Sequence, residues 1–295
     1  MQHLLNNAEL ATMAISHTGD SLPPPVCELP VDVRGGIQDA PSHDRDSIAE
    51  EIPVAMVYNG VSHAVMMASP CDLEDFAMGF SLTEGILQRP DQLFSIDVQP
   101  QDHGIAINMH IAGDCFVRLK EQRRNMTGRT GCGLCGTESL AHVVRAIPQV
   151  APQPLPSDAV IQRALRHLKK HQPLQLQTGA THGAAWCASN GEIVLAREDV
   201  GRHNALDKLI GARISAQADQ PFAHGFALIS SRASFEMVQK SASVGIGTLV
   251  AVSAPTALAV REACHSGMNL IGFARLGRHV IYTQSGECSE ENDCE

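Results

Sequence analysis

Gly225-Phe226-Ala227-Leu228-Ile229-Ser230, Thr248-Leu249-Val250-Ala251-Val252 and Leu270-Ile271-Gly272-Phe273-Ala274 are three short apolar runs, and the residues between them recur at helical spacing. One helix is expected from Phe235 and a second over residues 257–265. Continuous apolar runs of this length read as strands buried on both faces, and a helix between neighbours makes them parallel. Strand, helix, strand, helix, strand with short connections is the pattern of a three-layer α/β sandwich. Ligands of such sheets settle at the carboxyl ends of the strands. Polar segments fall there at residues 230–234, 253–256 and 273–278.

Upstream of this core the pattern stays mixed. Residues 184–188 and 193–196 read as a strand pair and 204–213 as a helix. Ser157 precedes an amphipathic helix in which Val160, Ile161, Leu165 and Leu168 share helical spacing. Residues 148–156 carry four prolines in nine positions and read as a linker. Before it, Asn59-Gly60 is a hairpin signal between strands at 54–58 and 63–68. A helix over 72–86, strands at 93–98 and 105–111, a basic polar loop at 120–130 and a helix over 136–147 complete a smaller α+β unit. The expected organisation is a flexible arm at 1–48, this subdomain at 49–150, an α/β ligand-binding domain at 151–284 and an acidic tail at 285–295.

With 295 residues, 44% of them hydrophobic, the chain can bury a core without covalent staples. A formal charge of −10 argues against sequence-independent binding to nucleic acid or to an anionic membrane. Any polyanionic ligand must therefore meet a local basic pocket. The first residues lack the basic start of a secretory signal and no apolar run approaches a membrane span, so a cytoplasmic protein is expected. Nine cysteines, odd in number and scattered, are expected there mostly as thiols.

One cluster stands apart: Gly131-Cys132-Gly133-Leu134-Cys135-Gly136. Its glycines permit close approach of another molecule, and Arg123, Arg124 and Arg129 favour the thiolate form of a nearby cysteine. Such a thiolate can accept sulfur as a persulfide, exchange with a disulfide or coordinate a metal, and spacing does not choose among these. A structural zinc site needs two more ligands, and the only His-x3-His, His167 and His171, lies beyond the proline-rich linker. Cys115, Cys187 and Cys264 lie in apolar surroundings and read as small hydrophobes, while Cys288 and Cys294 fall in the acidic tail.

Thr181 and His182, with the polar run from Arg197 to Asn204, resemble the walls of a site, with His182 and His203 able to move protons near neutral pH. The plainer reading is that Asp199 caps a helix while Arg197 and Arg202 pair with carboxylates. Ser231, Arg232 and Ser234 open the helix from Phe235 and suit a phosphate, although N-capping by Ser234 with Glu236 in the first turn needs no ligand.

Gly128-Arg129-Thr130-Gly131-Cys132-Gly133-Leu134-Cys135-Gly136, the run Arg197-Glu198-Asp199-Val200-Gly201-Arg202-His203-Asn204-Ala205-Leu206-Asp207-Lys208, and Ser230-Ser231-Arg232-Ala233-Ser234-Phe235-Glu236 together resemble the FdhD family of formate dehydrogenase accessory proteins. The resemblance covers residues 53–282 and implies a sulfurtransferase, a carrier loaded by a cysteine desulfurase. Cys132 would hold the persulfide and Cys135 would assist. The sulfur would pass to the molybdenum cofactor of formate dehydrogenase, the bis-molybdopterin guanine dinucleotide form. The family is similar to cytidine deaminases in fold and forms homodimers, and no permanently bound metal is expected.

The family's cofactor-binding segment looks like Phe273, Ala274, Arg275, Leu276, Gly277 and Arg278, with Arg275 and Arg278 expected to meet phosphate. Ser231, Arg232, Thr181 and His182 are further candidates. Two alternatives stand beside the carrier. A zinc-dependent deaminase would need His-x-Glu followed by Pro-Cys-x-x-Cys, whereas here Gly183-Ala184 follows His182 and the cysteine pair precedes it. A non-catalytic chaperone would bind cofactor or apo-enzyme with the cysteines incidental.

Overall fold

The computed structural model describes residues 21–34, 42–127, 147–216 and 221–287. Asn59 and Gly60 both adopt positive φ, 45° and 79°, the left-handed pair that a two-residue hairpin requires. They join β3 (Ile52–Tyr58) to β4 (Val61–Ala68). Strict alternation points Ile52, Val54, Met56 and Tyr58 inward along β3. With β5 (Leu93–Gln101) and β6 (Gly104–Ile111) these strands form a sheet in the order β4-β3-β6-β5, with β3 and β6 parallel. Helix α1 (Leu73–Thr83) lays Phe76, Ala77 and Phe80 on the inner face, and α2 (Gly113–Thr127) adds Cys115 and Leu119.

The beginning of the stretch expected as a polar loop is thus helical as far as Thr127. Its long polar side chains are good helix formers, and the apolar anchors that fix the helix sit one turn upstream. Inside the segment expected as a flexible arm, β1 (Val26–Val33) and β2 (Ser42–Ala49) pair antiparallel, Val26 opposite Ala49. Few of their side chains are buried, so no apolar alternation marks them; backbone pairing makes the element.

The second sheet contains β7 (His182–Cys187), β8 (Ile193–Asp199), β9 (Phe226–Ile229), β10 (Thr248–Ala251), β11 (Asn269–Arg275) and β12 (Arg278–Thr283), in the order β12-β11-β10-β9-β7-β8. The three strands that decide the fold, β9, β10 and β11, are parallel, and the rest pair antiparallel. Helix α3 (Asp158–Leu168) covers one face, packing Ile161, Ala164 and Leu168 on Ala185, Phe226, Leu228 and Ile271. A short α4 (Pro173–Thr178) follows it. The other face carries α5 (Arg202–Ala216), α6 (Phe235–Ser243) and α7 (Ala257–Ser266), which contribute Leu206, Leu209, Met237 and Ala259 to the core. This is the three-layer arrangement expected from the apolar runs. Cys115 and Cys187 are buried free thiols, whereas Cys264 is only half-buried and is disulfide-bonded, which corrects its reading as a small buried hydrophobe.

The two sheets meet where α1 crosses α5. A Cβ on Gly79 would stand 1.8 Å from the Asp207 carbonyl oxygen, and one on Gly211 would stand 1.9 Å from that of Asp75, so only glycine permits this approach. Ion pairs surround the crossing. Lys208 Nζ lies 2.7 Å from Asp199 Oδ2 with both side chains fully buried, and it also donates to the Ser69 carbonyl at 2.9 Å. Lys240 Nζ reaches Asp207 and Glu84, each at 2.9 Å, and Thr83 at 3.0 Å. Arg197 closes the set by pairing with Asp75 at 2.8 Å and with Asp72 at 3.4 Å.

Candidate functional site

Parallel strands end on the same edge of a sheet, so β9, β10 and β11 deliver their following segments side by side. Backbone hydrogen bonds stitch those segments together: Ser253 N donates to Ser231 O at 3.4 Å, Phe273 N to Ser253 O at 3.0 Å, and Thr256 N to Ala233 O at 3.0 Å. Because β7 runs against β9, its first residue reaches the same edge, where Gly183 N donates to Ser230 Oγ at 2.9 Å. The end of β8 and the start of α5 arrive beside it, bringing Asp199, Arg202 and His203. The edge therefore gathers His182, Arg202, His203, Ser231, Arg232, Ser234 and Phe273 from distant parts of the sequence.

The chemistry of this edge is basic and partly open. His203 Nε2 lies 2.6 Å from Glu236 Oε2, an ion-pair separation that lacks the alignment of a hydrogen bond. Burial holds the His203 imidazole below its ordinary pKa and Arg202 lowers it further, against the opposing pull of Glu236. His182 is lowered for the same reasons, burial first and then Arg202, with Asp199 opposing. Both imidazoles therefore favour the neutral form, which can accept a proton. Arg202 Nε and Ser234 Oγ are buried without a hydrogen-bond partner among the described residues. Ser234 occupies the N-cap position of α6, yet its hydroxyl makes no capping bond.

The sequence-derived candidates divide. His182, Ser231, Arg232 and Phe273 share the edge. Ser231 is buried with its hydroxyl donating to the Arg232 carbonyl at 3.1 Å, while Arg232 is exposed. Thr181 is buried and donates to Glu198 Oε1 at 3.0 Å, and the Glu198 carboxylate in turn accepts from Leu174 N and Gln175 N at the start of α4. Thr181 thus holds a cap in place. Ala274 is fully buried against α3, whereas Phe273 and Leu276 are 37% and 68% exposed. Arg275 and Arg278 lie directly opposite each other across the β11–β12 turn, exposed, with no ion-pair partner among the described residues. Cys132 and Cys135 lie outside the described residues. Among the described residues no group of three or more His, Cys, Asp or Glu side chains could hold a metal ion. No helix there is long and apolar enough to cross a membrane.

The run from Arg197 to Lys208 serves two purposes. Arg197, Glu198, Asp199, Asn204, Asp207 and Lys208 are bonded within the protein, with Asp199 Oδ1 accepting from Gly201 N at 2.7 Å and Asn204 Nδ2 at 3.0 Å. The plain reading therefore holds for Arg197, whereas Asp199 takes Gly201 N just ahead of α5 and the buried Lys208 in place of an amide within the helix. The plain reading fails for Arg202, which pairs with no carboxylate among the described residues. Position at the first turn of a helix that opens on the strand ends was the available signal for Arg202.

The sequence model of the FdhD/NarQ family matches residues 49–289. The sulfur carrier protein FdhD of Cupriavidus necator is 54% identical over 83% of this chain and 85% of its own length. Its counterpart in Bordetella petrii is 54% identical over 85% and 89%, and that of Variovorax paradoxus is 51% identical over 81% and 86%. A crystal structure of a candidate formate dehydrogenase accessory protein from Desulfotalea psychrophila superposes with a TM-score of 0.69, covering 89% of this chain and 99% of that one. At 24% identity, that similarity shows a shared fold.

Proposed function

The chain belongs to the FdhD/NarQ family, and from that premise we propose that it is a cytoplasmic sulfur carrier, a sulfurtransferase required for formate dehydrogenase activity. Its donor is a cysteine desulfurase carrying a persulfide. The Cys132 thiolate attacks the outer sulfur of that persulfide, the donor's S–S bond breaks, and the donor leaves as a thiolate. Cys132 then carries the sulfane sulfur as Cys–S–SH after protonation, with Cys135 as the assisting thiol. The substrate that receives it is the molybdenum cofactor of formate dehydrogenase in its bis-molybdopterin guanine dinucleotide form. The family resemblance also supports a homodimer as the working unit.

One observation carries this reading: a single family match, residues 49–289, spans both the glycine-flanked cysteine pair and a sheet edge with basic groups left open. An acidic protein that binds a polyanionic dinucleotide needs such a local concentration of donors. Arg202, Arg232, Arg275 and Arg278 provide the charge, Ser234 and His182 provide neutral polar atoms, and Phe273 offers an aromatic face. The residues present fit the substrate. His182 and His203, held toward the neutral form, are able to accept a proton at this edge.

The test is to incubate the protein with a cysteine desulfurase and cysteine, trap persulfides by alkylation and map the added sulfur by peptide mass spectrometry. An added sulfur on Cys132 or Cys135, absent from the other seven cysteines, is the expected result. An unlabelled pair, together with a Cys132→Ala/Cys135→Ala variant that still supports formate dehydrogenase activity, would overturn the carrier in favour of a chaperone.

A further inference from the structure

Gln162, on the exposed side of α3, spans the turn between β11 and β12 with both ends of its amide. Its Nε2 donates to the Arg275 carbonyl at 3.0 Å, and its Oε1 accepts from Gly277 N at 2.7 Å. One turn earlier on the same helix, Asp158 Oδ1 lies 3.2 Å from His279 Nε2 at the start of β12. Helix α3 therefore grips the hairpin from its buried face through Ala274 and from its rim through Asp158 and Gln162.

What this grip holds is costly by itself. Phe273 has φ +48°, a left-handed backbone that a bulky residue rarely adopts, and the register of β11 against β12 slips between Gly272 and Arg275. Ile271 and Ala274 consequently face the same layer, which strand positions three apart do only when a bulge adds a residue. The bulge turns Phe273 outward and sets Arg275 directly opposite Arg278. Like charges in that position repel, and no carboxylate of the described residues pairs with either. A strained aromatic and an uncompensated arginine pair, clamped by a side chain that leaves both guanidinium groups untouched, form a site organised before its anion arrives.

We propose that Gln162 is a positioning residue that presets the Phe273–Arg278 hairpin for an anionic nucleotide. Its two hydrogen bonds fix the turn backbone, so the entropy of ordering Arg275 and Arg278 is lost on folding and not on binding. The inference rests on the reading of this hairpin as part of the cofactor-binding surface.

The experiment measures guanosine diphosphate binding to the full chain by calorimetry for wild type, Gln162→Ala, Gln162→Glu and Arg275→Ala/Arg278→Ala, with melting temperature and sulfur loading of the cysteine pair recorded for each. Gln162→Ala is expected to weaken binding about tenfold, the size of one or two net hydrogen bonds, with a small fall in melting temperature and loading at the wild-type value. Gln162→Glu keeps an acceptor for Gly277 N but loses the donor to Arg275 O, and is expected to weaken binding at least as much. Weakened binding in the arginine variant with wild-type binding in Gln162→Ala would overturn the positioning role while leaving the hairpin reading intact. Wild-type binding in the arginine variant, or no binding by wild type, would remove the hairpin reading and this inference with it. A lowered melting temperature in Gln162→Ala together with wild-type binding would make Gln162 a structural brace only.

Discussion

The crossing of α1 over α5 and the carboxyl edge of the second sheet are built from the same kinds of residues, yet their charges end differently. At the crossing, Lys208, Asp199, Lys240 and Asp207 are buried and each meets an opposite charge. At the edge, Arg202 Nε and Ser234 Oγ find no partner, and Arg275 faces Arg278. A buried charge without a partner is too costly to survive unless it is compensated, so the crossing had to be closed by the protein itself. At the edge Arg275 and Arg278 border solvent, where open donors cost less, while Arg202 Nε and Ser234 Oγ are buried polar atoms that a substrate can complete. Charge satisfaction therefore separates scaffold from site more sharply than charge density, which is high in both.

The largest test of this contrast lies at the crossing. Lys208→Met leaves Asp199 buried without its counter-ion and is expected to cost about 3–5 kcal/mol in urea unfolding. A loss well below about 1 kcal/mol would mean that the neutral donors on Asp199, from Ser69, Gly201 and Asn204, suffice to hold its charge. The edge should behave in the opposite way. Arg202→Ala is expected to shift unfolding by no more than about 0.5 kcal/mol while raising the cofactor concentration for half-maximal sulfur delivery about tenfold. Destabilisation comparable to Lys208→Met would erase the distinction between the regions.

The smallest effect concerns pH. His182 and His203 have folded-state pKa values below the ordinary 6.5, so their contribution to stability is present above that value and is lost as pH falls through the lower folded values. Acidification below about pH 6.5 should therefore lower the melting temperature, and a His182→Gln/His203→Gln variant should show a flatter profile over the same range. An unchanged slope in that variant would place the acid sensitivity outside these two histidines.

Much of the α/β domain was legible because its signals are local. Apolar runs of four or five residues at β9, β10 and β11, separated by helical spacing, leave few arrangements open. The hairpin at Asn59-Gly60 was equally plain, since a turn with two left-handed residues selects that dipeptide. The β1–β2 hairpin and β12 were not legible: the former buries little, and the latter is short with an apolar run, Val280-Ile281-Tyr282, that does not alternate with polar residues. Of the candidate residues, His182, Ser231, Arg232 and Phe273 lie at the strand ends, whereas Thr181 turns inward to support the Glu198 cap. Gln162 left no signal, because a polar residue on the exposed side of an amphipathic helix looks like any solvated position.

The sequence by itself determined the fold class, the glycine-flanked cysteine pair, the acidic balance of the chain and, through its motifs, the family. Only the tertiary structure decided which polar residues belong to scaffold and which to site. Arg197, Asp199 and Lys208 share a motif with Arg202 and His203, and nothing in their spacing tells them apart. Their roles follow from what stands opposite each side chain after α1 crosses α5 and the strands align. That is a matter of partners brought together across more than a hundred residues, as when Ser69 N meets Asp199 Oδ2 at 3.0 Å.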